Sequence, residues 1–319
     1  MNVKLFFCFL LGSLPAFLIG QQYTGIIKSK KNNEGLPYVN IGIPAKAWGF
    51  RSDEKGVFTF KVTSEKDTDT VQFSLIGYQT AYLPIKELKE KCASNSGIYL
   101  DEMTYDLAPV TILPNDYEVK VLGSENPEEL DCFELPRYKD TTYSRVAREK
   151  GLDTNSVGIE LGNKIPVKEG QRTFIDKVQF KVCLEPKDTA IYRINVYTKG
   201  KNLKRHITPV GMVREQSFVN IMKEPVVIKC IGKTEVITID LSSQDIEVND
   251  DFYVALECIY ASDKKIKIGV SPALFSSTDV FIRLSLFSEW LKLPVINLTF
   301  ISATVSSKKM PGFWERLFR

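Results

Sequence analysis

Beyond Gly20 the apolar residues of this chain come in short runs, each closed by a cluster of turn-forming residues, and that spacing points to a β architecture. Val57-Phe58-Thr59-Phe60-Lys61-Val62 alternates with the period of two that a half-buried strand needs. Val39, Ile41 and Ile43 alternate in the same way with Tyr38, Asn40 and Gly42. Between such runs lie Lys30-Lys31-Asn32-Asn33-Glu34-Gly35, Ser52-Asp53-Glu54-Lys55-Gly56 and Asp67-Thr68-Asp69. Residues of these types favour turns by bonding to their own backbone or by tolerating positive φ. The spacing predicts a β-sandwich over residues 21–113, closed by an extended run from Leu107 to Leu113. The pattern returns over residues 156–319. Phe174–Leu184, Ala190–Thr198, Val226–Ile231, Glu235–Leu241, Phe252–Tyr260, Ile266–Val270, Val280–Leu286 and Val295–Val305 read as strands of a second, larger, jelly-roll-like sandwich. The expected fold class is all-β: two sandwiches joined by a connector over 114–155. In that connector Thr141–Lys150 reads as one short helix, with Gly151 placed to cap its end.

Residues 1–20 stand apart. Lys4 is their only charge, and Leu5–Ile19 is apolar apart from breaks at Gly12-Ser13 and Pro15. A charged start followed by a short apolar run reads as a secretory signal, cleaved after Gly20. A spanning helix needs ~20 unbroken apolar residues, and no later stretch reaches that length without charges. Cys8 lies inside the apolar run rather than after it, which speaks against a lipid anchor. The mature chain is expected to be exported and soluble or peripherally attached. Its hydrophobic fraction of 44% and charged fraction of 25% suit a packed globular protein rather than a disordered one. Net charge is +3, or +2 once Lys4 is removed, and the two signs alternate along the chain. No basic patch marks a nucleic-acid partner.

One set of residues resembles a known family. Tyr23-x-Gly25-x-Ile27, Gly35-x-Pro37-x-x-x-Ile41-x-Ile43, Ser52-Asp53-x-x-Gly56-x-Phe58 and Asp69-x-Val71-x-Phe73-Ser74-x-Ile76-Gly77-Tyr78 occur in the order seen in the carboxypeptidase-regulatory-like domain, a prealbumin-type β-sandwich. Arg51 stands where that family more often has Thr or another small residue. The resemblance implies an accessory domain without peptidase chemistry of its own. It also implies the periplasm or outer membrane of a Gram-negative bacterium, because the same domain is similar to the periplasmic extension of TonB-dependent outer-membrane transporters. Phe180 with Tyr192-x-Ile194-x-Val196-Tyr197, and Asp251-Phe252-x-Val254-x-Leu256-Glu257, are similar to the C-terminal sandwiches that follow this domain in exported bacterial proteins. That likeness carries no assigned chemistry.

Catalytic groups are scarce. His206 is the only histidine, in the basic stretch Gly200–His206, and reads as a solvated loop residue. Triads and most zinc sites need such a residue in a better setting. No GxSxG, HExxH, Walker or GxGxxG motif occurs. A glycosidase needs only two carboxylates. Asp53-Glu54, Asp101-Glu102 and Asp250-Asp251 lie in turns or at strand ends, whereas Glu257 lies in an apolar strand. Alternation puts Glu257 opposite Leu256 and Cys258, on what reads as a solvent face. Asp245-x-Glu247-x-Asn249-Asp250-Asp251 offers oxygens at alternate positions that suit calcium, but it reads more simply as a polar turn. No catalytic, cofactor or metal site is therefore expected.

Among the cysteines, Cys183, Cys230 and Cys258 lie in strand-like runs and read as buried thiols, while Cys92 with Cys132 is the pair that a bridge would join. The expected activity is binding within an envelope assembly, with protein partners that include an outer-membrane complex. The residues expected to carry it are Phe313, Trp314, Leu317 and Phe318 of the aromatic tail, together with Trp290 in an apolar segment over 275–301. The alternatives are a glycan-binding module presenting Trp48 or Trp290, and a histidine-free glycosidase built on Glu257.

Overall fold

A computed structural model describes residues 22–43, 48–61, 66–103, 116–124, 126–134, 159–208, 211–262, 267–272, 279–283, 290–292 and 298–309. Side chains are not described at 48, 133–134, 201–216 and 271–272.

The first domain holds β1 (Gln22–Ser29), β2 (Asn40–Ile43), β3 (Trp48–Arg51), β4 (Val57–Lys61), β5 (Thr70–Ser74), β6 (Ala81–Pro84), α1 (Ile85–Ala93) and β7 (Ile98–Leu100). One sheet runs β4-β1-β7 and the other β3-β2-β5-β6. Alternation sends Ile27, Ile41, Phe58, Phe60, Val71 and Phe73 into a shared core. The turn before β4 forms as its residues dictate. Asp53 Oδ1 accepts from the backbone N–H groups of Lys55 and Val57, each at 2.8 Å, and Gly56 takes a φ of 81°. Sequence periodicity did not reveal α1, although Ile85, Leu88 and Cys92 lie at helical spacing and are the face it buries. It is the one α-helix among the described residues.

The second domain holds β8 (Tyr117–Gly123), β9 (Asp131–Glu134), β10 (Glu160–Ile165), β11 (Thr173–Cys183), β12 (Thr189–Thr208), β13 (Gly211–Asn220), β14 (Val226–Ile231), β15 (Thr234–Asp240), β16 (Glu247–Val248), β17 (Phe252–Ala261), β18 (Lys267–Pro272), β19 (Val280–Arg283), β20 (Trp290–Lys292), β21 (Leu298–Thr299) and β22 (Ile301–Lys308). Two sheets face each other across a largely aliphatic core that includes Ile175, Val178, Ile194, Val254 and Ile301, with Phe180 among them. The first runs β21-β18-β11-β22-β8, with β15 and β16 added along β11 and β9 along β18. The stretch expected to be a connector therefore supplies β8 and β9 to this sheet. Their bounds were hidden because short runs such as Val119-Lys120-Val121 gain strand character only by pairing with β22. The helix expected over 141–150 and the strand expected over 107–113 lie outside the described residues.

The other sheet runs β13-β20-β19-β10-β17-β12-β14, and β13 also pairs with β12. That extra pairing closes six of the seven strands into a ring. It depends on the length of β12, whose second half crosses the stretch read as a loop. His206 is in this half, in register with Val213. Four strands of the wall, β10, β12, β17 and β19, thus have one face on the aliphatic core and the other inside the ring.

The disulfide joins Cys132 to Cys183, with Cα atoms 5.9 Å apart, and corrects the expected Cys92–Cys132 pair. Cys92 is a buried free thiol on α1, packed in the first core and far in the fold from β9. Cys183 ends β11 where β18 and β9 approach it, so its place in a strand did not keep it from a partner.

Candidate functional site

The inside of the ring has two parts. At its centre five rings meet: Tyr197 from β12, Phe218 from β13, Tyr253 from β17, Phe281 from β19 and Trp290 from β20. Phe218 stands 4.4 Å from Tyr253 and 5.1 Å from Phe281, centroid to centroid, and Tyr197 stands 5.4 Å from Trp290. Contacts between β13 and β17, which do not pair, require the rings to meet across the interior. Ala255 and Gly162 face each other between them, and a Cβ at Gly162 would come within 3.1 Å of the Ala255 methyl. Small residues on two strands make room for large ones on the others.

At the mouth a row of charges crosses four adjacent strands: Arg193 on β12, Glu257 on β17, Glu160 on β10 and Arg283 on β19, each in register with the next. Antiparallel registration places such residues side by side on one face. Arg283 pairs with Glu160 and lies over the Trp290 ring, 5.2 Å from its centroid. Asn195 Nδ2 donates to both carboxylates, at 2.7 Å to Glu160 and 3.3 Å to Glu257, and Tyr197 donates its hydroxyl to Glu160 at 2.7 Å. Arg193 Nη1 lies 3.4 Å from Glu257.

The first domain closes this mouth. Arg51 of β3 pairs with Glu257 through Nη2 and donates through Nε to Asn40 Oδ1 at 3.1 Å. In return Arg193 donates to the carbonyl of Tyr38 and to Asn40 Oδ1. Glu257 is 1% exposed and Glu160 fully buried. The solvent-facing position expected for Glu257 is therefore corrected. Its face of β17 is turned away from the aliphatic core, yet it is covered by the ring and by the first domain.

The two carboxylates differ in their ease of ionisation. Burial pushes the Glu257 carboxyl up, but the guanidinium groups of Arg51, then Arg193 and Arg283, outweigh it and hold the carboxyl at about 2. Burial raises Glu160, and the nearby negative charge of Glu257 adds to that against Arg283 and the hydrogen bonds from Tyr197 and Asn195. Two neighbouring carboxyls whose environments push their ease of ionisation apart are the pairing a hydrolase uses. Here both are shut from solvent, and their oxygens are taken up by arginine, asparagine and tyrosine groups of this chain. They form a network closed within the chain among the described residues.

The remaining expected residues fall elsewhere. Trp290 is 5% exposed inside the ring, which corrects the exposed patch expected for it. Its large apolar surface was read as a surface patch because the closure of β13 on β20 has no signature in the sequence. Phe313, Trp314, Leu317 and Phe318 lie outside the described residues, as do the side chains of Trp48 and His206. The carboxylates weighed for calcium have partners within the fold: Glu247 pairs with Arg172 and Asp251 with Lys164. Arg51, Arg193, Glu160 and Arg283 had no signal as a group, although Arg51 was visible singly as an arginine at a position that suits a small residue.

No curated protein matches the chain. Residues 23–112 match the family model described as the CarboxypepD_reg-like domain, which covers β1 from Tyr23 onward, β2–β7 and α1. The first domain of this chain is therefore a carboxypeptidase-regulatory-like domain, docked through Arg51 on a second β domain.

Proposed function

We propose that the chain is a non-catalytic binding or structural subunit of a cell-envelope assembly, exported to the periplasm or to the outer membrane of a Gram-negative bacterium. Partners are envelope proteins, a TonB-dependent transporter among them. The observation that carries this reading is a pair of strands that end their sheets among the described residues. β8 ends its sheet with Val119 71% exposed and Val121 51% exposed, and β14 ends the other with Val227 and Ile231 exposed. An unpaired edge with aliphatic side chains is a template for adding a strand from another chain. Export is supported by the signal-like residues 1–20 and by the Cys132–Cys183 disulfide, which persists in oxidising compartments.

The glycan-binding and glycosidase readings gain nothing from Trp290 or Glu257, since both are buried. The test is affinity purification of the tagged chain from native membranes. The expected result is co-purification of an envelope protein that is lost when Val119 and Val121 are both changed to Lys. A chain that runs alone in the soluble fraction would overturn the proposal.

A further inference from the structure

We infer that the mouth of the ring is a guanidinium receptor for the first domain, and that Arg51 specifies the docking and makes the two domains one cooperative unit. The inference does not depend on the function proposed above. Three contacts carry it. The first is the exchange of arginines: Arg51 of the first domain ends on Glu257, and Arg193 of the second ends on Tyr38 and Asn40. The second is Ile76, which leaves its own sandwich and packs against the aliphatic core of the second domain. The third is Gly77, at a φ of 82°, where a Cβ would stand 3.2 Å from the Lys223 carbonyl in the turn before β14. The adjoining N–H groups of Lys223 and Glu224 are held by Gln244 Oε1 at 3.0 and 3.3 Å, so that turn is braced from within its own domain.

The chemistry of the first contact selects arginine. Glu257 sits between Arg51 and Arg193, and Asn40 Oδ1 accepts from both guanidinium groups. Arg51 must reach Glu257 with Nη2 and Asn40 with Nε at once, a fork that the single ammonium of lysine does not reproduce. Tyr38 holds a φ of 55°, uncommon for a residue with a Cβ, while its carbonyl receives Arg193. A buried ion pair adds little net stability over an apolar contact of equal shape, but removing one partner leaves the other charge desolvated. The network therefore acts on which surface can dock more than on how strongly apolar surfaces hold.

The test is hydrogen exchange on the full chain across a urea series, read on Asn40–Ile43 of the first domain and on Phe252–Ala261 of the second. In the wild type both segments should lose protection at one shared midpoint. In Arg51→Ala the first segment should open at lower urea, its protection falling on the order of a hundredfold more than that of the second. Millimolar methylguanidinium should narrow that gap, relative to equal sodium chloride. Should Arg51→Ala fail to fold, Arg51→Lys is read in the same way and should show the same split. Two separate midpoints in the wild type, or an unchanged single midpoint in the variant, would overturn the inference.

Discussion

The two faces of β17 are both buried, and they are built in opposite ways. Phe252, Val254, Leu256 and Cys258 point into the aliphatic core between the sheets, among residues such as Ile194 and Leu161. Tyr253, Ala255 and Glu257 point into the ring, where they meet aromatic rings and arginines. On the first face side chains need only match in volume. On the second, the carboxylates draw partners from β12, from β19 and from another domain, while Arg193 Nε and Arg283 Nε are buried without a partner among the described residues. Antiparallel sheets often have one dry face and one wet face. Closing such a sheet into a ring and capping the ring makes the second face dry as well, so a polar residue there is held by its network rather than by water.

Truncating one residue on each face tests that comparison with the largest expected effect. Phe180→Ala on the aliphatic side and Phe281→Ala inside the ring should each cost ~3–5 kcal/mol. Urea unfolding with an unchanged slope would measure both. A cost near zero for Phe281→Ala would mean that the ring interior is open to water. The disulfide comes next. Replacing Cys132 and Cys183 together by Ser should cost ~2–4 kcal/mol. On the unreduced, denatured wild type, Cys92, Cys230 and Cys258 should titrate as thiols, and Cys132 and Cys183 should not. Gly162→Ala should cost ~1–3 kcal/mol by crowding Ala255, and Ala255→Gly in the same chain should recover part of it.

The smallest effect concerns pH and separates the two carboxylates. Glu257 is held below its ordinary value of 4.5, so its contribution is present above 4.5 and is lost as pH falls toward about 2. Glu160 is raised, so the folded state favours its proton, and its contribution declines as pH rises above 4.5. Glu257→Gln should therefore flatten the fall in stability between pH 4.5 and 2. Glu160→Gln should remove a gain in stability on going from neutral pH down to 4.5. Identical pH profiles for the two variants would break the asymmetry.

The residues reveal these regions unequally. In the first domain, turn chemistry and alternation act over a few residues, so Asp53, Gly56 and the strand residues Ile41 and Phe73 could be placed from sequence alone, although the pairing of Ile41 with Phe73 could not. α1 was missed because Ile85, Leu88 and Cys92 are its only buried positions among charged neighbours. In the second domain the strand β17 was legible but the environment of Glu257 was not. Alternation shows that Glu257 and Leu256 face opposite ways, and says nothing of what covers either face. The partners of Glu257 lie 64 residues away on β12 and 206 residues away on β3, as Arg193 and Arg51. No local rule joins them. The ring closure was hidden for the same reason, since the basic half of β12 looks like a loop until β13 is laid beside it.

A double-mutant cycle between Arg51 and Glu257 tests most directly whether the first domain seals the mouth of the ring. Either Arg51→Met or Glu257→Gln alone should destabilise the chain, because each removes one partner of a buried charge. If the two groups meet as described, the double variant should be markedly less destabilised than the sum of the single effects, with a coupling of ~0.5–3 kcal/mol by urea unfolding. Additive single effects, with no coupling, would contradict the contact and with it the buried setting of Glu257.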